Sequence, residues 1–131
     1  MFLDASAIVA ILGREPEREV FLAKLQASPF RVTSVVSIYE AALALNRMTG
    51  SCVSALSEIQ LFTQAARIEV RQIDPAMLQE LAITWDRFGK GSRGGGKLNM
   101  GDCFTYVFAK LLGLPLLFKG QGFLHTDIVP A

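Results

Sequence analysis

The chain has 131 residues, 51% of them apolar, with thirteen basic against twelve acidic side chains and a formal charge of +1. That length suits one domain with one substantial core, the apolar fraction argues against intrinsic disorder, and the balanced charge means that any affinity for nucleic acid has to come from a local grouping. Two widely separated cysteines, no Cys-x-x-Cys pattern and a single histidine, His125, support neither a zinc site nor a disulfide framework, so a reducing cytoplasm is the default compartment.

The first dozen residues, Phe2 to Leu12, are almost wholly apolar but too short for a bilayer, broken by Asp4 and Ser6, and preceded by no basic segment, so no membrane or signal segment is expected. Residues 2 to 4 predict a very short buried strand, followed by a helix from about Ala5 to Leu12 that Gly13 stops. Asp4 then lies at the strand's C-terminal end in apolar surroundings, where an ionised carboxylate needs a proton, a partner or a metal. Ser6 has two uses, a bond to Asp4 or one to its own helix backbone, the second being commoner.

A second helix is expected from near Glu15-Pro16 to Ala27 with Phe21, Leu22 and Leu25 inward, then a strand over Phe30–Thr33. Ser34 can cap a third helix with a stripe of Val35, Ile38, Ala42, Leu45 and Met48; Glu40 falls beside that stripe and faces a cleft next to the core. Leu56, Ile59, Phe62 and Ala66 define a fourth helix, and a strand follows around Ile68 to Ile73. Asp74-Pro75 starts another helix with a buried stripe of Leu78, Leu81, Ala82 and Trp85, and Gly89 to Leu98 reads as a flexible glycine-rich insertion. Asp102 opens a helix buried through Phe104, Val107, Phe108, Leu111 and Leu112, then Pro115 to Phe118 gives a strand and Asp127 to Val129 a last edge strand. Short apolar strands alternating with helices make residues 1–131 a single α/β domain around a parallel sheet.

In such a sheet the binding crevice lies beyond the C-terminal strand ends, where Asp4, Ser34, Asp102 and the 119–127 segment converge. Asp4, Glu40 and Asp102 form an oxygen ligand set for Mg²⁺, which can activate a water and neutralise phosphoryl oxygens in phosphodiester hydrolysis. Simpler roles stand beside this one: Asp102 as a helix cap and Glu40 as a rim residue. Arg87, Lys90, Arg93 and Lys97 punctuate the glycine-rich stretch, which is either an RNA phosphate contact or an ordinary solvated loop. It lacks the P-loop pattern, which disfavours ATP or GTP hydrolysis. In the tail, Lys119 is available to phosphate, Gln121 offers a metal only a neutral oxygen, His125 reads as exposed, and Asp127 either caps local backbone or supports the metal ligands through hydrogen bonds.

Met1-Phe2-Leu3-Asp4-Ala5-Ser6-Ala7, the Glu40 helix after Thr33-Ser34, Asn99-Met100-Gly101-Asp102-Cys103-Phe104, and Pro115-Leu116-Leu117-Phe118-Lys119-Gly120 with Phe123 and Thr126-Asp127-Ile128 together resemble the PIN-domain ribonucleases, specifically VapC toxins of bacterial toxin-antitoxin pairs. The resemblance covers essentially the whole chain. It implies a three-layer α/β/α sandwich, RNA cleavage dependent on Mg²⁺ or Mn²⁺, a homodimer, and inhibition by a cognate VapB-like antitoxin. It gives Asp4, Glu40 and Asp102 the three central acidic roles and Ser6 the hydroxyl beside the first. The pattern departs at Gln121 and Gly122, where many relatives carry aspartate, which puts a second metal in doubt. Two other readings remain: a catalytically weak interaction domain on the same fold, and a structure-specific nuclease outside toxin systems. The apolar residues Ile8, Ile11, Leu12, Ile59, Leu61 and Phe62 are expected either to be consumed by the two sides of the sheet or to be buried between chains or under a partner.

Overall fold

A computed structural model describes residues 1–131. Four short strands, β1 (Phe2–Leu3), β2 (Val32–Ser34), β3 (Glu69–Arg71) and β4 (Leu116–Leu117), form one sheet in the order β3-β2-β1-β4, and every pairing is parallel. Helices α1 (Ala5–Leu12) and α2 (Arg18–Ala27) connect β1 to β2, and α3 (Val35–Thr49) and α4 (Cys52–Ala65) connect β2 to β3. A 3₁₀ turn (Pro75–Met77), α5 (Leu78–Phe88) and α6 (Met100–Leu112) lead to β4, and a second 3₁₀ turn (Gly122–His125) precedes the C-terminus.

Successive strand residues point to opposite faces, and this alternation divides the core. Phe2 and Leu116 face a cluster with Tyr106, Val107 and Phe108 of α6, with the Phe2 and Phe108 rings stacked 5.6 Å apart. Leu3 and Leu117 face the other side, against Ala7, Ala10 and Ile11 of α1 and Phe21 and Leu25 of α2. The sheet is therefore the middle of three layers, as expected. A third cluster joins Ile8 to Ile38, Ala42 and Leu45 of α3 and Ile59 of α4. No helix is long and apolar enough to cross a membrane.

Several expected details shift. The second helix begins at Arg18 because residues 13–17 turn back on α1, with Arg14 in the left-handed region at φ 55° and the Glu15 N–H donating to the Ala10 carbonyl at 3.0 Å. On α3, Val35 and Met48 are exposed and Ala41 joins Ile38, Ala42 and Leu45 inside; on α4, Ala55 and Thr63 flank Ile59 in place of Leu56 and Phe62, which are only partly buried. On α5 the inward line is Met77, Leu81, Thr84 and Phe88, so Leu78, Ala82 and Trp85 are exposed; the small Thr84 allows α5 to lie close to α6, and its larger neighbours are left outside. On α6, Leu111 is exposed while Tyr106 is buried. Ile8, Ile11 and Ile59 are spent inside the core, whereas Leu61 is exposed. The C-terminal segment pairs with β4 only through an isolated parallel bridge between Leu116 and Pro130, short of a strand.

The glycine-rich segment is closed, contrary to the expected flexible insertion. Bridges link Gly89 to Leu98 and Lys90 to Gly96, and Leu98 is fully buried. A Cβ at Gly96 would sit 1.9 Å from the Phe88 carbonyl oxygen, so the loop closes only because that residue has no side chain. Gly96→Ala is expected to cost about 1–3 kcal/mol, as overpacking against fixed backbone does. Gly122→Ala, with nothing within 4 Å of its new Cβ, should be near neutral. Chemical denaturation of the two variants tests the contrast.

Candidate active site

The C-terminal ends of β1, β2 and β4 release the chain at Asp4, Ser34 and Phe118, and the first turn of α6 opens beside them. Asp4 is the N-cap of α1 and is only 4% exposed. Its Oδ2 accepts from the Ser6 N–H at 2.9 Å and from the Ser6 hydroxyl, and its Oδ1 accepts from the Thr105 hydroxyl at 2.9 Å. Of its two expected uses, the Ser6 hydroxyl takes the bond to Asp4 and not the commoner one to its own helix backbone. Burial of this carboxylate is offset by three donors, and bonds to a charged acceptor are stronger than neutral ones.

The donors are themselves held. The Thr105 hydroxyl lies 3.3 Å from that of Ser37, which lies 3.1 Å from that of Ser34, the N-cap of α3. On the other side Ser6 Oγ accepts the Lys119 backbone N–H at 2.9 Å. Because Thr105 gives its proton to Asp4, its oxygen is left to accept from Ser37, and the chain of hydroxyls polarises toward the carboxylate from both ends.

Asp102 stands in the first turn of α6 without being its cap. Asn99 is the N-cap: its side chain accepts from the Asp102 N–H at 2.8 Å, and Asp102 Oδ2 accepts from the Asn99 N–H at 2.8 Å, a reciprocal capping box. Asp102 and Thr105 are three residues apart and share a helix face. Burial chiefly raises the Asp102 pKa, the Asn99 bond opposes this, and the Asp4 charge adds to it. Glu40 lies against the same turn, since a Cβ on Gly101 would fall 1.9 Å from Glu40 Oε1. Burial, then the charges of Asp4 and Asp102, push Glu40 up to about 7.

The three carboxylates therefore share one electrostatic neighbourhood, yet no three acidic, histidine or cysteine side chains form a ready-made metal cradle. Like charges repel, and Asp4 and Asp102 have each taken neutral donors. The donor set nonetheless fits a hard cation. It is all oxygen, the Asp4 charge raises the pKa of both Glu40 and Asp102, and Glu40 hangs on a flexible stem.

Other expected site residues are placed elsewhere. Asp127 accepts from the Tyr106 hydroxyl and pairs with Lys110 at 3.2 Å, so its carboxylate is committed to the outer part of α6; the Tyr106 bond holds its pKa low. Gln121 is exposed just before the second 3₁₀ turn and makes no capping bond there. Lys90, Arg93 and Lys97 are all exposed on the closed loop. The Lys119 ammonium is held by Glu15 at 2.7 Å and Glu17 at 3.0 Å. Ser6, Val9, Glu15, Glu40, Ala44 and Lys119 line a cleft between α1 and α3. Across α3 lies a larger apolar groove lined by Val35, Tyr39, Ala42, Val53, Leu56 and Val70.

Comparison with known proteins identifies the family. The PIN domain family model matches residues 1–129. The chain belongs to the PIN-domain family. Within it the chain is similar to VapC ribonucleases: 38% identical over 128 residues to Ribonuclease VapC30 of Mycobacterium tuberculosis, covering 98% of this chain and 95% of the relative. Ribonuclease VapC of Mycolicibacterium smegmatis is 36% identical over 128 residues, covering 98% and 97%. Among solved structures, Mycobacterium tuberculosis VapC20, described as a Sarcin-Ricin loop cleaving toxin, superposes with a TM-score of 0.80 at 14% identity, covering 99% of this chain and 97% of that one. This last likeness speaks for the PIN fold alone.

The residues that support this PIN-domain site, Thr105, Ser37 and Asn99, were not singled out from the sequence. Asn99-x-x-Asp102 carries a capping-box spacing that identifies Asn99; nothing local marks Thr105 or Ser37, whose value comes from packing α3 on α6. The raised Glu40 pKa has a testable sign. A carboxylate whose folded pKa is raised gives its full stability below the unfolded value of 4.5 and loses it as pH rises through about 7. Glu40→Gln should therefore be more stable than the parent at pH 8 in chelator, with the difference shrinking toward pH 4.5; thermal melts across that range check it.

Proposed function

We propose that this chain is a metal-dependent endoribonuclease, the toxin of a toxin-antitoxin pair, hydrolysing RNA phosphodiester bonds at the Asp4, Glu40 and Asp102 site. The observation that carries this reading is the buried Asp4 carboxylate, fixed by hydroxyls between two further carboxylates whose pKa values are raised, in a chain related over its length to ribonucleases. Asp4, Glu40 and Asp102 would hold a divalent cation, Mg²⁺ with Mn²⁺ as a substitute. Bound there, it supplies Lewis-acid stabilisation of the phosphoryl oxygens and a more acidic water. Asp4 is oriented by Ser6 and Thr105 before any ligand arrives, Asp102 presents Oδ1 while Oδ2 is tied to Asn99, and Glu40 gives up the proton it retains near neutrality. Because that proton must leave before Glu40 can bind the cation, cation affinity falls as pH drops below about 7. Water adds to phosphorus, the phosphorus–oxygen bond to the leaving nucleoside breaks, and the leaving oxygen takes a proton. With Gln121 and Gly122 in place of further carboxylates, the chain's own residues suit one cation.

The partners in this reading are RNA, a cognate VapB-like antitoxin and a second copy of the chain in a homodimer, in the cytoplasm. The exposed apolar groove beside α3 supports a protein partner close to the acidic cleft. One observation favours a second reading, a catalytically weak interaction domain: Gln121 and Gly122 stand where many relatives carry aspartate.

Cleavage mapping on total RNA separates the two. The purified chain should cut with Mg²⁺ or Mn²⁺ and not with chelator, and Asp102→Asn should lower cleavage by at least about 100-fold, since even changes to groups behind metal ligands cost about 10- to 100-fold. Its stability should change little, because asparagine can still accept the Asn99 N–H. Absence of metal-dependent cuts would favour the interaction domain. Lys90, Arg93 and Lys97 form the proposed RNA contact, and neutralising all three should reduce the salt slope of RNA binding by about two. An unchanged slope would return them to the solvated surface.

A further inference from the structure

The segment after β4 and the turn after α1 meet at Lys119. Its ammonium spans Glu15 Oε2 at 2.7 Å and Glu17 Oε2 at 3.0 Å, while its backbone N–H donates to Ser6 Oγ at 2.9 Å. One residue thus joins a doubly paired cation on one side to the hydroxyl that serves Asp4 on the other. Both glutamates reach it because the chain reverses at Arg14, a non-glycine residue held in the left-handed region at φ 55°.

The hydroxyl's direction follows from its donors. With its lone pair engaged by the Lys119 N–H, the Ser6 proton is directed onto Asp4 Oδ2. If the 118–120 segment moved away, Ser6 would be free to turn its proton to other acceptors, and Asp4 would keep only Thr105 and the Ser6 N–H. β4 is two residues long and ends at Leu117; Phe118 packs edge-on against Phe123 at 5.0 Å, and beyond it the ion pairs to Glu15 and Glu17 are what hold the Lys119 side chain.

We propose that Glu15 and Glu17 are positioning residues for the Asp4 carboxylate: by clamping the Lys119 ammonium they hold the Lys119 N–H on Ser6, and through Ser6 they fix Asp4. The proposal rests on the nuclease reading for its consequence but not for its geometry. It also changes the part assigned to Lys119, whose charge is neutralised within the chain instead of being offered to RNA phosphate.

The two roles predict opposite effects when Glu15 and Glu17 are both changed to Gln. As a clamp, their loss loosens the segment: amide exchange at Lys119, read by NMR, should accelerate about fivefold, the factor expected from two partly exposed ion pairs. Mn²⁺ affinity, read by electron paramagnetic resonance without RNA, should fall by a similar factor, and kcat should fall with KM for RNA unchanged. Lys119→Met should reproduce the loss of Mn²⁺ affinity, and Lys119→Arg should retain it, because a guanidinium can span two carboxylates. Glu58→Gln, which removes a charge from the exposed face of α4, serves as the charge control and should leave exchange and Mn²⁺ affinity unaltered. Circular dichroism confirms that each variant is folded. Unchanged exchange at Lys119 in the double variant overturns the clamp, as does tighter RNA binding with unaltered Mn²⁺ affinity, which would make Lys119 a phosphate contact restrained by its glutamates. A parent protein that cuts no RNA would refute the nuclease reading, while the exchange measurement still decides the clamp.

Discussion

An ionised carboxylate with almost no solvent contact is the constraint around which this molecule is arranged. Asp4 sits at the end of a fully buried strand, and an unpaired charge there would be costly enough to shift its protonation or unfold its surroundings. The structure meets the demand without a basic side chain. Hydroxyls from α1 and α6 donate directly, those of α3 stand behind Thr105, and the backbone after β4 stands behind Ser6. A basic partner would neutralise Asp4 and compete with a cation. Neutral donors orient the carboxylate and leave its charge available.

The parallel sheet makes this convergence possible. With every strand running the same way, the C-terminal ends open on one edge, and helices α1, α3 and α6 all pack close to it. Alternating burial of Phe2 and Leu3 locks β1 between two helical layers, so Asp4, the next residue, has little freedom to move. The site inherits its precision from the core. Gly101 extends the same logic: without a side chain, it admits the Glu40 carboxylate against α6.

Much of this was legible in the sequence. The strand-helix alternation, the Ser34 cap and the positions of Asp4, Glu40 and Asp102 follow from local patterns, and those three do come into one electrostatic neighbourhood. The misses have a common cause. Leu78 and Trp85 look like core residues by periodicity, yet α5 buries the line through Thr84, because which helical face is covered depends on the neighbouring helix and not on apolar content alone. Thr105 and Ser37 are unremarkable polar residues until α3 and α6 pack together. Asp127 was legible as a carboxylate, but its commitment to Tyr106 and Lys110 depends on where the tail crosses α6.

Helix α3 separates two surfaces of different chemistry. Glu40 and Ala44, one turn apart, line the acidic cleft, while Val35, Tyr39 and Ala42 line the apolar groove with α4 and β3. A rigid helix transmits a rotation about its own axis to both sides at once. Glu40 meets Gly101 only through the far end of a flexible side chain, which can give way, whereas the Ser37 to Thr105 link joins the first turn of α3 to α6 beside Asp4, so the hydroxyl pair is the contact that ties the position of α3 to the site.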